Sequence, residues 1–323
     1  MNEVLKEMQA GCQRGQVVKL DTILYQKLVE LHFLYDLITP TTEEMIFHSY
    51  QVLERKESLD KIILTPPLTS LEFDILFDIL MINNHQECNF HHPFCSFSGH
   101  IKEIPVRITM LHQSLSAANQ KKIFIRVHRT NSISLDSFGA EELLANFISS
   151  KKNVLIAGAT GSGKTTLLTS IAKLIPKNEH LVILEDAHEI FLEGENVTSF
   201  LSNAKNELND FFAYSMRVSP DRIILGEVRT KEVIPFIMAM NHGHRGLLST
   251  IHADTAIDAI YRTALLFCLF SNQKNIDYAT VLKLVASNID YVVYVQNKKI
   301  TEIIQILGSE RDQCYFEKLN LTS

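Results

Sequence analysis

The residues from Gly158 to Thr165 read Gly-Ala-Thr-Gly-Ser-Gly-Lys-Thr and match the pattern G-x-x-x-x-G-K-S/T. A short apolar, β-branched run, Asn153–Ala157, precedes them, and apolar residues at helical spacing follow as far as Ile175. A glycine-rich loop between a strand and a helix turns its backbone N–H groups inward at the helix N-terminus, where partial positive charge favours anions. The sequence therefore predicts a binding site for the phosphates of a nucleotide.

The side chains of this stretch, called here the phosphate loop, have chemical roles that follow from their types. Lys164 is expected to reach the β- and γ-phosphates, and the Thr165 hydroxyl is expected to ligate Mg²⁺. The cofactors predicted are accordingly ATP and Mg²⁺. The residues predicted to bind nucleotide here are Gly158, Thr160, Gly161, Ser162, Gly163, Lys164, Thr165 and Thr166.

Composition limits the class of protein. The chain has 323 residues, of which 46% are hydrophobic, enough for two domains with their own cores. With 31 basic and 37 acidic residues its net charge is -6, which argues against the broad basic surface of a dedicated nucleic-acid binder. No apolar run approaches the roughly 20 residues that span a bilayer, and the first residues lack a signal-peptide core. We expect a cytoplasmic protein, with peripheral membrane association left open.

A polar, serine-rich stretch from Thr130 to Ser137 divides the chain. It predicts an N-terminal α+β domain over residues 1–130, a linker over 131–140 and an α/β domain over 141–323. In the second domain strand-like runs alternate with helical ones, which is typical of βαβ units and a largely parallel sheet. The strand-like runs are Val154–Ala157, Leu181–Leu184, Arg222–Leu225, Leu247–Ile251 and a pair read as an edge hairpin, Tyr291–Gln296 with Ile300–Leu307.

The first half of the chain carries weaker patterns of both kinds. Apolar residues at helical spacing predict helices over Asp21–Leu37 and Ser70–Asn83. Short β-branched runs predict strands over Gln51–Glu54, Val106–Leu111 and Ile123–Val127. These mixed signals are the basis for expecting a smaller α+β domain there.

Two strand-like runs of the second domain end in carboxylates. The run from Arg222 leads into Glu227, which we expect to polarise the attacking water beside the γ-phosphate. The run from Leu181 leads into Glu185, which we expect to hold Mg²⁺ through a water, since Mg²⁺ usually keeps several waters. Either acid alone is also compatible with a solvated strand end or a helix N-cap. Two such strands after a phosphate loop favour hydrolysis.

The chain carries four motifs in this order: Gly158–Thr165, Leu184–Glu189, Pro220–Arg229 and Gly243–Ala253. Together they resemble the motifs of the ATPases of type II and type IV secretion and of pilus assembly. The wording of Ala239–His244 and Leu248–Ala253 is most similar to the type IV secretion and tight-adherence pilus branch. The four-cysteine zinc module of the type II branch has no counterpart here, since the five cysteines are scattered.

The resemblance is strong over Asp136–Arg262 and weaker over the first half. It implies that the second domain is a RecA-like P-loop NTPase domain and that copies of the chain assemble into a hexameric ring. It further implies that ATP hydrolysis moves the N-terminal domain and drives secretion or pilus assembly. The implied partners are inner-membrane components of such a machine, with peripheral association at the inner membrane and no specific nucleic acid.

The same resemblance assigns roles to several basic residues. Arg107 and Arg126 match arginines that the N-terminal domain presents to the nucleotide, and a guanidinium forks onto phosphate oxygens. An ordinary ion pair is the alternative for each. By the resemblance Arg217 and Arg229 lie near the nucleotide or at the subunit interface. His252 would link the nucleotide state to the neighbouring subunit, with a structural role as its alternative.

Two departures from the family pattern concern the positively charged residues expected near the nucleotide and at the subunit interface. Ser219 stands where the family often has a second arginine, and Thr198–Asn203 stands where it usually has an arginine-bearing strand. The effect of these changes on the subunit interface stays open.

Two other functions also stay open, namely a RecA-like nucleic-acid motor and a non-catalytic nucleotide-binding scaffold. The acidic balance disfavours the first, and the retained Lys164, Thr165 and Glu227 disfavour the second.

Histidines and cysteines crowd one segment of the first domain. Such residues bind zinc when two close pairs converge tetrahedrally, but the spacing here matches no standard zinc finger. Whether the segment binds a metal stays open. Its histidines and cysteines are His85, Cys88, His91, His92, Cys95 and His100.

Overall fold

The computed structural model describes residues 38–39, 42–48, 51–56, 62–64, 70–101, 103–128, 135–192, 194–202, 206–271 and 276–321. The predicted helix over Asp21–Leu37 lies outside these described residues. Contacts divide the chain into two compact units, Met1–Thr130 and Asn131–Ser323, called here the N-terminal unit and the C-terminal unit.

The N-terminal unit contains a six-stranded antiparallel sheet with the strand order β3-β2-β1-β6-β5-β4. A helix, α1 over Ser70–Asn83, lies between β3 and β4 in the chain, as the apolar spacing predicted. The strands are β1 Thr42–His48, β2 Gln51–Lys56, β3 Ile62–Leu64, β4 Phe94–Ile101, β5 Ile104–Leu111 and β6 Lys122–Val127.

One face of this sheet forms the core with α1. Side chains alternate between the faces of a strand, and Ile108 and Ile125 accordingly share the inner face and are almost fully buried. Phe77 and Leu80 of α1 belong to the same core cluster. The outer face carries polar side chains, including Arg107 of β5.

The C-terminal unit contains an eight-stranded sheet with the strand order β14-β13-β12-β7-β11-β10-β8-β9. Its helices are α2 Glu141–Ser149, α3 Lys164–Ala172, α4 Leu208–Ser215, α5 Val233–Asn241, α6 Ala256–Phe270 and α7 Tyr278–Asn288. Its strands are β7 Val154–Ala157, β8 Leu181–Glu185, β9 Val197–Leu201, β10 Arg222–Val228, β11 Leu248–Ile251, β12 Tyr291–Gln296, β13 Lys299–Glu310 and β14 Gln313–Lys318.

Six neighbouring strands, from β12 to β9 in that order, pair in parallel. All residues of β7, β8 and β11 are buried, because helices cover both faces of a parallel sheet. The carboxyl ends of parallel strands meet at one edge of the sheet, where α/β proteins bind ligands. The segments that follow β7, β8, β10 and β11 therefore share one edge.

The structure corrects the prediction of an edge hairpin. Tyr291–Gln296, as β12, pairs in parallel with β7 as well as antiparallel with β13, so it is an interior strand. Its apolar residues, such as Val292 and Val293, are fully buried, which an edge position does not allow. The turn consists of Asn297 and Lys298, and the edge is formed by β14.

The predicted linker covers residues 131–140, and its second half also differs from expectation. Leu135–Phe138 forms a 3-10 helix, and Leu135 and Phe138 are 7% and 3% exposed within the core of the C-terminal unit. Residues three apart lie on the same face of a 3-10 helix, so both apolar side chains reach that core. This part of the stretch is therefore packed structure.

The segment rich in histidine and cysteine contributes to the N-terminal core through Cys88, which is buried, while His91 and His92 are exposed. Within the described ranges no three His, Cys, Asp or Glu side chains are grouped as metal ligands. In the same ranges no helix combines the length and the apolar character of a membrane span.

Candidate nucleotide-binding site

The phosphate loop connects β7 to α3 at the carboxyl edge of the sheet. Gly158, Gly161 and Gly163 have φ values of 153°, 73° and 102°, which side chains disfavour and glycine tolerates. A Cβ atom added to Gly158 would lie 2.3 Å from the carbonyl oxygen of Val295, so that position requires glycine. A Cβ atom added to Gly161 would meet nothing within 4 Å, so this part of the loop is open to a ligand.

The Lys164 side chain lies inside the loop and is 7% exposed. Its Nζ donates hydrogen bonds to the carbonyl oxygens of Gly158 at 2.9 Å and Ala159 at 2.8 Å. Burial lowers the pKa of the Lys164 ammonium, and the negative charge of Glu227 opposes that shift. The structure thus holds a cation at the N-terminus of α3, where the helix dipole also favours an anion.

Three further predicted residues converge next to Lys164. His252, which follows β11, places Nδ1 3.3 Å from Lys164 Nζ and Nε2 2.8 Å from Glu227 Oε1. The second distance suits an ion pair when the ring is protonated, but the ring is not aligned for a hydrogen bond. On the other side, Arg229 Nε donates to Glu227 Oε2 at 2.5 Å. Lys164, His252, Glu227 and Arg229 are called here the edge cluster.

Protonation of this cluster follows from its surroundings. Burial and the neighbouring Lys164 charge lower the pKa of His252, while Glu227 acts in the opposite direction. The imidazole is therefore mainly neutral at neutral pH, so it lies between Lys164 and Glu227 without adding a charge. The Glu227 side chain is 15% exposed, so water can still reach it.

The carboxylate beside the Thr165 hydroxyl is that of Glu189, which the sequence prediction did not assign to the site. Thr165 Oγ1 donates to Glu189 Oε2 at 3.3 Å. A hydroxyl and a carboxylate oxygen are the hard ligands that Mg²⁺ prefers, so this pair fits the predicted metal. The sequence signal for this contact was that Glu189 belongs to the acidic run after β8. Because Glu189 lies several residues beyond the strand end, the sequence did not indicate that it reaches Thr165.

Glu185 has a different environment. It is 3% exposed, and its Oε1 accepts hydrogen bonds from the backbone N–H groups of Glu189 at 3.0 Å and Ile190 at 2.9 Å. Burial raises the pKa of Glu185 to about 8, so the carboxyl is mainly protonated at neutral pH. Its role as a water-mediated Mg²⁺ ligand stays a prediction. What the structure shows is that it supports the segment carrying Glu189.

This environment predicts a pH effect on stability. The folded protein releases the Glu185 proton near pH 8, whereas the group's ordinary pKa is 4.5, so stability falls as pH rises across that interval. The loss is at most about 5 kcal/mol. Glu185→Gln mimics the protonated acid, so we expect its melting temperature to decline less across the interval than that of the wild type. Thermal melting at a series of pH values measures this.

Glu195→Gln provides the matched control, because Glu195 is exposed and close in the chain. It is expected to follow the wild-type pH dependence. If Glu185→Gln lost stability with pH as steeply as the wild type, the buried carboxyl would not carry the effect.

The remaining predicted residues are not members of the edge cluster. Arg217 is exposed beyond the end of α4, and among the described residues its side chain has no hydrogen bond or ion pair. Thr160 is exposed in the loop, and Thr166 is half-buried in the first turn of α3. Ser162 is buried.

Arg107 and Arg126 belong to the N-terminal unit, where they are neighbours across two strands of the sheet. They lie directly opposite on the antiparallel strands β5 and β6, and therefore on the same face. Arg107 Nε donates to Ser96 Oγ at 3.2 Å, and Glu44 of β1 lies opposite Arg126 on its other side. Two guanidinium groups thus occupy one row across the outer face of the sheet.

A glycine loop that holds a buried lysine at the carboxyl edge of a parallel sheet, with an acid from a neighbouring strand beside it, defines a P-loop nucleotide-binding protein with a RecA-like domain. Residues 98–301 match the model of the family described as Type II/IV secretion system protein, and the chain belongs to that family.

Individual relatives agree with this assignment. The chain is 34% identical over 168 residues to the conjugal transfer protein TrbB of Rhizobium radiobacter, covering 50% of each chain. It is 34% identical over 166 residues to the type IV secretion system protein PtlH of Bordetella pertussis, covering 49% of each chain. The chain thus spans about half the length of the curated relatives it matches.

A solved structure shows the same fold. The pilus retraction motor PilT, determined with bound ADP, superposes with a TM-score of 0.66 at 17% identity. The match covers 94% of this chain and 84% of that chain, so it includes parts of both units. The predicted fold class, a RecA-like domain with a smaller α+β domain, is therefore confirmed.

Proposed function

We propose that this chain is an ATPase motor that powers type IV secretion or pilus assembly. The observation that carries the proposal is the edge cluster, in which His252 lies between the phosphate-loop lysine and a strand-end carboxylate, within 3.3 Å of the one and 2.8 Å of the other. Membership of the Type II/IV secretion system protein family supports the kind of machine. Similarity to PtlH, a type IV secretion system protein, supports the type IV branch.

In this proposal the residues of the site divide the chemistry among them. The loop N–H groups and Lys164 bind the phosphates, and Thr165 with Glu189 would hold Mg²⁺, which when bound neutralises phosphate charge. Glu227 orients the attacking water and accepts its proton. The water oxygen bonds to the γ-phosphorus as the bond to the ADP oxygen breaks. Arg229 keeps Glu227 in place and supplies positive charge near the transferring group.

The arrangement of Arg107 and Arg126 supports a role in anion binding. Like charges directly opposite each other on adjacent strands are unfavourable, and an anion between the two guanidinium groups relieves that repulsion. In our proposal these arginines bind nucleotide phosphates, so that hydrolysis moves the N-terminal unit. Arg217 and Arg229 act near the nucleotide or between subunits of a hexameric ring.

The proposed partners are copies of the same chain and inner-membrane components of a secretion or pilus machine. The chain would act on the cytoplasmic side, associated peripherally with the inner membrane. No specific nucleic acid is expected, because the net charge of -6 lacks the cationic excess that phosphate backbones attract.

The test is ATP turnover by the wild type, Lys164→Ala and Glu227→Gln, each with and without single-stranded DNA or anionic vesicles. We expect turnover that requires both Lys164 and Glu227 and that is unchanged by DNA. Equal rates in the three proteins would contradict an ATPase. Stimulation by DNA but not by vesicles would instead identify a nucleic-acid motor, and binding without turnover in the wild type would identify a scaffold.

The proposed role of Arg107 leads to a separate prediction. Arg107→Ala is expected to weaken ATP binding about tenfold or more, because a charge-assisted hydrogen bond contributes roughly 1.5–3 kcal/mol. Protection of the N-terminal unit from protease by ATP should fall in parallel. ATP titration and limited proteolysis measure the two effects.

Arg55→Ala is the control for this experiment. Arg55 is exposed on β2, opposite Glu44 in the same row, so it matches Arg107 in charge and face. It should bind ATP as the wild type does. Unchanged affinity and unchanged protection in Arg107→Ala would refute the anion-binding role, provided that its melting temperature without nucleotide is also unchanged.

A further inference from the structure

The turn between β12 and β13 lies directly against the phosphate loop. The backbone N–H of Lys298 donates a hydrogen bond to the carbonyl oxygen of Ser162 at 2.9 Å. A Cβ atom added to Gly163 would lie 3.4 Å from the Lys298 Cα. At the start of the loop the approach is closer still, since a Cβ atom added to Gly158 would lie 2.3 Å from the carbonyl oxygen of Val295 in β12. The loop therefore contacts this hairpin at both ends.

The contact with Lys298 determines the orientation of one peptide group of the loop. In a planar trans peptide the C=O and the following N–H point in opposite directions. Because the Ser162 carbonyl is directed at the turn, the N–H of Gly163 points away from it. Inward-pointing N–H groups are the ones that bind phosphate in such loops. The turn thus sets the direction of a donor in the phosphate site.

The turn itself adopts a conformation that is costly for its sequence. Asn297 and Lys298 have φ values of 51° and 60°, and they connect the paired residues Gln296 and Lys299. This is the pattern of a two-residue type I′ turn, which favours Asn followed by Gly. Lysine pays a steric cost there that glycine avoids. Local strain of this kind persists where the surrounding structure requires it, often at functional sites.

We propose that the Asn297–Lys298 turn is a brace for the phosphate loop and that Lys298 is a positioning residue acting through the Ser162–Gly163 peptide. The inference rests on the proposed nucleotide-binding function of the loop. The brace raises the population of the loop conformation that binds phosphate, and the apparent affinity depends on that population. The backbone of Lys298 carries this effect, and its ammonium group is not required.

Substitutions at Lys298 test the brace because they change the turn in opposite directions. Lys298→Val places a β-branched residue at positive φ and is expected to weaken binding of ATP about tenfold. Tripolyphosphate should lose the same factor, because the effect concerns the phosphate cradle. Lys298→Gly, with Asn-Gly in the turn, should rescue both affinities. Lys298→Ala should fall between them and serves if the valine variant is poorly folded.

Lys299→Ala is the matched control, since Lys299 is exposed and adjacent but begins β13. Hydrogen exchange of the loop, without nucleotide, supplies a readout that does not need catalysis. Faster exchange in Lys298→Val than in Lys298→Gly supports the brace. Equal affinities and equal exchange in the two variants would overturn it. If the wild type bound ATP without hydrolysing it, that result would contradict the proposed ATPase function. The binding and hydrogen-exchange results would still decide whether the turn is a brace.

Discussion

Lys164→Ala is expected to weaken ATP binding by about a hundredfold or more, because charge-assisted hydrogen bonds to phosphate contribute roughly 1.5–3 kcal/mol each. The Lys164 ammonium is buried in the phosphate loop, at the N-terminus of α3. A charge in that setting acts on phosphate with little screening by solvent. Calorimetric titration with ATP measures the loss, and turnover should disappear with it.

Two mechanisms for the loss have to be separated. One is loss of the ammonium group, and the other is loss of the side chain's packing inside the loop. Lys164 also donates to the carbonyls of Gly158 and Ala159, and both the alanine and the methionine variants remove these hydrogen bonds. Lys164→Met, however, keeps the length and burial of the side chain. We expect it to bind ATP as poorly as Lys164→Ala, because both lack the charge that pairs with phosphate.

Lys173→Ala is the control, since Lys173 is exposed at the C-terminal end of the same helix. It should bind ATP normally. Wild-type affinity in Lys164→Ala would contradict the assignment of this loop as the phosphate site. A drop confined to Lys164→Ala, with normal binding in Lys164→Met, would show that the packing of the side chain, and not its charge or hydrogen bonds, controls affinity.

The central strands of the C-terminal unit were predictable because a parallel sheet covered on both faces leaves continuous apolar runs. β7, whose four residues are all buried, is an example. The strands that escaped prediction lie at the edges of that sheet, where burial is incomplete. β9 contains Thr198 and Ser199, and β14 is largely exposed. Edge strands depend on pairing with a neighbour, which one-dimensional patterns do not record.

The candidate site shows the same division between local and tertiary information. The phosphate loop is a local pattern, so the sequence identified it. The contacts of Glu189 with Thr165 and of Lys298 with Ser162 form only when separate segments meet in the fold. Likewise, the raised pKa of Glu185, at about 8, reflects burial that no motif specifies. Motifs indicate which residues take part, and packing decides their protonation and partners.

Glu227→Gln is expected to bind ATP and to hydrolyse it about a hundredfold or more slowly, because general-base catalysis typically contributes 10²–10⁴-fold. The amide keeps the shape of the side chain, and its oxygen can still accept from Arg229, which contacts the Glu227 Oε2 position. It cannot accept a proton from the attacking water. Single-turnover hydrolysis, measured together with equilibrium ATP binding, separates the chemical step from affinity.

Two further amide substitutions make this result specific. Glu195→Gln, at an exposed position, should leave turnover unchanged. Glu189→Gln changes the carboxylate beside Thr165, so a loss there that is relieved by higher Mg²⁺ would indicate metal binding rather than proton transfer. Normal hydrolysis by Glu227→Gln would place the proton acceptor elsewhere. Trapped ATP in Glu227→Gln, with Glu189→Gln limited by Mg²⁺, would assign the two carboxylates to different steps, because only one of them lies in the edge cluster with His252.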